Sequence, residues 1–154
     1  MKINLPLLNF CLSTFNSNKL IASKTLVTNK MVQQVTRGIK IEVKQNFEGT
    51  FYKNHKIHFA FGYVVTIENR SKDTVQLNSR HWTILDSLNK NENVDGEGVI
   101  GKKPVLNPGD THIYNSGCLL LSPFGSMKGH YKMIDLATTR KFNVTIPSFK
   151  LSAP

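Results

Sequence analysis

The sequence predicts an all-β fold, a sandwich or barrel of antiparallel strands. Three observations lead there. Apolar and polar residues alternate with period two in separate stretches at both ends of residues 31–154. Turn-forming groups such as Asn107-Pro108-Gly109-Asp110 divide the apolar stretches. Aromatic and β-branched residues are plentiful, while long Leu-, Ala- and Glu-rich runs are missing.

Ile39, Ile41 and Val43 alternate with Lys40, Glu42 and Lys44, which makes a strand with one buried and one wet face. Phe142, Val144 and Ile146 do the same near the far end. Phe59 to Asn69 reads as a long, largely buried strand, with Phe59, Phe61, Tyr63, Val65 and Ile67 on one parity. The strand from Val75 to Asp86 changes parity: Val75 and Leu77 are odd, Trp82 and Ile84 even. One regular strand cannot bury both sets, so a bulge, or a crossing between sheets, is expected within Asn78–His81. Asn89 to Asp95 is polar and turn-like, Ser122 to Ser126 is a second turn, and strands follow at Thr111–Ser116 and Gly129–Leu136.

The chain of 154 residues, 40% of them hydrophobic, suits one core. Its net charge is +10. Residues 1–30 supply +4 of this, from Lys2, Lys19, Lys24 and Lys30 with no acid, leaving +6 for residues 31–154. Sixteen of the basic residues are Lys and four are Arg, a balance that suits a solvated surface better than bidentate phosphate or base recognition. No nucleic-acid partner is expected. The apolar stretch Ile3 to Phe15 is too short and polar to span a membrane, so no membrane insertion is expected either. Residues 1–30 are read as a disordered extension or a start codon set too far upstream, with residues 31–154 as the domain. Of the two cysteines only Cys118 falls in that domain, which fits a reducing, cytoplasmic setting.

A series of short motifs is more specific. It comprises Val35-Thr36-Arg37-Gly38-Ile39, Phe61 to Asn69 leading into Val75-Gln76-Leu77, Ser79-Arg80-His81-Trp82 and Gly96-Glu97-Gly98-Val99-Ile100-Gly101. Leu106-Asn107-Pro108-Gly109, Tyr114-Asn115-Ser116-Gly117, Pro123-Phe124-Gly125-Ser126-Met127 and Ile146-Pro147-Ser148-Phe149 follow. In this order the series resembles the bacterial ApaG family from about Val35 to Leu151. The resemblance implies a β-sandwich similar to a fibronectin type III domain. It also implies an association with cobalt resistance and magnesium efflux, and an interaction role like that of related domains within larger eukaryotic proteins.

Gly96, Gly98 and Gly101 spell G-x-G-x-x-G, but no helix follows: Pro104 comes at once, and Asp95 and Glu97 carry the wrong charge for a dinucleotide loop. Two readings remain. The loop is a glycine-rich hairpin or crossing loop, or it is a nest of N–H groups that grips a phosphate-bearing small molecule with Lys102, Lys103 and Arg80. Ser79 and His81 flank the expected bulge and form a candidate surface site. No metal ligand set is expected. His55 and His58 point opposite ways on a strand, His112 and His130 are isolated, and Asp95, Glu97 and Asp110 make a thin carboxylate group. No G-x-S-x-G or apolar carboxylate pair is present, and Cys118 reads as a small buried hydrophobe. The expectation is a non-enzymatic accessory protein without a cofactor, acting on a protein partner.

Overall fold

The computed structural model describes residues 31–154; the expectations placed on residues 1–30 lie outside the described residues. The described residues form strands and no helix: β1 Met31–Thr36, β2 Ile39–Lys53, β3 Lys56–Asn69, β4 Val75–Asp86, β5 Glu92–Glu97, β6 Val105–Leu106, β7 Thr111–Leu120, β8 Phe124–Asp135 and β9 Lys141–Ser152. One sheet runs β1-β2-β3-β7. The other runs β5-β4-β8-β9, with β6 sharing the β5 side of β4. Every pairing is antiparallel.

The period-two pattern decides which face each sheet buries. Ile39, Ile41 and Val43 of β2 and Val65 and Ile67 of β3 are fully buried, and they meet Val144, Ile146 and Met133 from the second sheet in one cluster. β1 and β2 also pack against β9 and close that side of the sandwich. Trp82 lies at the centre, tilted against Tyr63 at 5.5 Å between ring centroids and edge-on to Phe149 at 6.0 Å.

The parity change in β4 is a bulge. Its register with β8 shifts between Leu77 and Ser79, so Asn78 is the extra residue. Two expectations need correction. Asn89 to Asp95, read as a turn, contains the start of β5. Its Glu and Asn residues hide a strand because an edge strand held mainly by backbone pairing to β4 needs little apolar content. The turn read at Ser122–Ser126 also ends early, since β8 starts at Phe124.

The crossing from β3 to β4 is held by one buried polar side chain. Asn69 is 0% exposed. Its Nδ2 donates to the Asp73 carbonyl at 2.8 Å and the Leu106 carbonyl at 2.9 Å, and its Oδ1 accepts from the Ser71 N–H at 2.9 Å and the Ser71 hydroxyl at 2.7 Å. Its backbone pairs with Gly109 and Asp110 across the turn before β7. A buried polar group is tolerable only when it is satisfied in this way. Asn69→Ala strands several of these partners, so it should lower unfolding stability by about 2–4 kcal/mol. Urea denaturation at an unchanged m-value checks this.

Candidate functional site

The bulge at Asn78 sets what β4 presents. Beyond it Arg80 and Trp82 turn towards the sandwich interior and His81 towards the outer face of the second sheet. Arg80 stands directly opposite Gly96 in the β4–β5 ladder. Its guanidinium covers that glycine: a Cβ added there would lie 2.7 Å from Cζ. Its Nη1 donates to the carbonyls of Glu97 at 3.1 Å and Gly98 at 2.7 Å. Arg80 is therefore a clamp on the chain's own loop.

The glycine loop is a hairpin. Gly98 donates its N–H to the carbonyl of the bulged Asn78 at 2.7 Å. Val99 and Lys102 exchange backbone hydrogen bonds of 2.8 and 3.0 Å around a two-residue turn. Ile100 and Gly101 fill that turn with φ of 47° and 69°, as a type I′ turn requires. Lys103 bonds Glu97 at 2.7 Å, and Lys102 is exposed. The N–H groups of Gly98 and Lys102 and the charge of Lys103 thus meet partners inside the chain. This weighs against a phosphate nest at Gly96, Gly98 and Gly101.

On the outer face the structure brings together residues far apart in the sequence. Asp95 on β5, His81 on β4 and His130 on β8 occupy one rung of the sheet. His81 Nδ1 lies 2.8 Å from Asp95 Oδ1, and the His81 and His130 rings stack at 5.1 Å with 28° between planes. His130 was expected to be isolated and is not. No spacing signal marks this group, because β5 and β8 reach β4 from opposite sides. The hydrogen bond from His81 holds the Asp95 carboxyl below its ordinary range, helped by the charges of His81, Lys132 and His130. Burial, then the nearby His81 and Lys132, push His130 below the ordinary histidine value. Ser79 pairs with Glu97 and Lys132 in the ladders on either side of β4.

The remaining candidates do not converge. His55 sits in the β2–β3 turn with φ of 59°, and His58 stacks on Phe51. Asp110 caps its own turn through Asn107 and lies apart from Asp95 and Glu97, which bond His81 and Lys103. Among the described residues no three His, Cys, Asp or Glu side chains form a ready metal shell. Burial pushes the Cys118 thiol up to about 12, which removes its nucleophilic thiolate. Tyr114 and Tyr131 share a hydrogen bond between their buried hydroxyls, and burial raises both.

Two antiparallel sheets packed over an aromatic core define a β-sandwich of the fibronectin type III kind. Residues 49–135 match the ApaG domain model. The chain is 40% identical over 124 residues to protein ApaG of Mesorhizobium japonicum, spanning 80% of this chain and 95% of that protein. It is 41% identical over the same length to protein ApaG of Brucella abortus strain S19. Among solved structures, the ApaA protein of Bordetella pertussis superposes with a TM-score of 0.66 at 32% identity, covering 75% of this chain and 94% of that one. A structural-genomics target reaches 0.72 at 34% identity, covering 76% and 88%. The chain belongs to the ApaG family. None of these comparisons indicates a catalytic function. Among the described residues no helix is long and apolar enough to cross a membrane.

The outer-face cluster makes acid stability depend on His81. Because Asp95 is lowered in the folded state, the unfolded chain takes up that proton more readily. The contribution of the contact is present above the ordinary aspartate value of 3.8 and is lost as pH falls through the folded one. His130 acts with the same sign below 6.5. In a carbon-13 NMR titration Asp95 should titrate below the ordinary aspartate value, and His81→Ala should move it back up.

Proposed function

We propose that this chain is a non-enzymatic accessory protein that acts by pairing its β7 edge with an extended segment of a protein partner, in the setting of cobalt resistance and magnesium efflux that its family resemblance implies. The observation that carries this reading is the chemistry of β7. The strand runs ten residues, Thr-His-Ile-Tyr-Asn-Ser-Gly-Cys-Leu-Leu, with no Lys, Arg, Asp, Glu or Pro. It pairs with β3 on one side without a register break, and among the described residues no strand pairs its other side. Ile113 and Leu119 on its outward face are 59% and 52% exposed.

Edge strands are normally blunted by charge, proline or a bulge, because unpaired N–H and C=O groups template association. β5, one edge of the other sheet, is blunted in this way: it is short and carries Glu92, Asp95 and Glu97. β7 has none of these devices. Burial and the nearby Lys102 lower His112, which disfavours its charged form. Backbone pairing along such an edge would supply affinity, and the alternate outward residues would supply selectivity.

The test is Ile113→Lys with Leu119→Lys. Both positions face solvent, so the fold should survive. A partner cross-linked to the native chain in its own cells should be lost from the double variant. Capture of the same partner at undiminished yield would overturn the edge reading. Sedimentation of the purified chain distinguishes a second copy from a different protein as the occupant.

A further inference from the structure

The rung formed by Asp95, His81 and His130 has no role in the edge reading. Cross-strand neighbours on one rung project from the same face, so all three side chains stand together on the outer face of the second sheet. His81 and His130 border a cleft of about 330 Å³ that is also lined by Thr83, Lys128, Thr145 and Ser148.

We propose that His81 and His130 form a two-histidine chelate for a borderline first-row divalent cation such as Zn²⁺ or Ni²⁺, with Asp95 orienting His81. Imidazole nitrogen is the preferred ligand of that class, with bonds of about 2.0–2.1 Å. Directly opposed residues of antiparallel strands have Cα atoms about 4.5–5.5 Å apart, a span that two imidazoles can close around one ion. The ring centroids already lie 5.1 Å apart. A swing from the stacked arrangement turns the ring edges towards a common point. The Asp95 carboxylate accepts the Nδ1 proton of His81 at 2.8 Å. That bond fixes the tautomer and leaves the Nε2 lone pair free, as carboxylates do beside metal-bound histidines.

The surroundings define the class further. Lys128 and Lys132 project from β8 beside the rung, and β9 offers only the hydroxyls of Thr145 and Ser148. Affinity must therefore come from coordination bonds and not from accumulated negative charge. Mg²⁺, which wants carboxylate and other oxygen ligands, is not served. Water completes the coordination shell.

The test is a nitrogen-15 NMR titration of the full chain with ZnCl₂, repeated with NiCl₂ for its paramagnetic broadening. Saturable one-to-one perturbation centred on residues 81, 95 and 130 is expected. His81→Ala and His130→Ala should each abolish saturation. Asp95→Asn should weaken binding roughly 10–100-fold. The double variant His55→Ala, His58→Ala, which removes the exposed histidines of the β2–β3 hairpin, should bind as the native chain does. Retained amide dispersion shows that each variant is folded. Perturbation centred on His55 and His58, unchanged affinity in His130→Ala, or no saturable binding would each overturn the proposal. Ile113→Lys with Leu119→Lys should leave the titration unaltered, so failure of the edge reading and failure of this one are separable.

Discussion

One unpaired residue governs the layout of the second sheet. Side chains alternate along a strand, so inserting Asn78 into β4 exchanges the faces of everything after it. Without that insertion Trp82 would face outward and His81 would enter the core. With it, Trp82 packs between Tyr63 and Phe149, and His81 meets Asp95 and His130 on the outer face. The bulge is stabilised from the next hairpin, because Gly98 donates its N–H to the Asn78 carbonyl while Arg80 holds the carbonyl of Gly98. A glycine is needed at position 98, where φ is 56° and a Cβ would strike the Lys102 carbonyl.

The polar groups inside the sandwich follow a similar logic. Asn69 satisfies the carbonyls that two crossing segments leave unpaired, and no buried side-chain nitrogen or oxygen among the described residues lacks a partner. The hydroxyls of Tyr114 and Tyr131 satisfy each other across the two sheets. Each contact ties one sheet to the other, so polar satisfaction fixes how the layers face each other, whereas apolar burial alone would let them slide.

Much of this was legible in the sequence. The alternation at Ile39–Val43 and Phe142–Ile146 gives their buried faces directly, and the parity change between Leu77 and Trp82 locates the bulge to within a few residues. β5 was hidden because its pairing is made by backbone, which leaves little trace in side-chain composition. The glycine loop resembles a phosphate motif in sequence because G-x-G-x-x-G is a pattern of backbone freedom. In this chain the freedom serves a tight hairpin. The His81–His130 pair was out of reach for another reason. Its members are 49 positions apart and meet only because β4 and β8 are neighbours in this register, a fact about pairing that no local pattern carries.

The Val99–Lys102 turn has a bearing on how much stability the chain holds in reserve. A β-branched residue at a left-handed φ is costly, on the order of 1–3 kcal/mol. Ile100 adopts that conformation while 52% exposed, so it recovers little by burial. Asn or Gly would fill the position without the strain. The fold tolerates a residue that works against it at the tip of its most glycine-rich hairpin. There is therefore room for substitutions that raise stability without touching either sheet, and such a background could absorb costly changes elsewhere in the molecule.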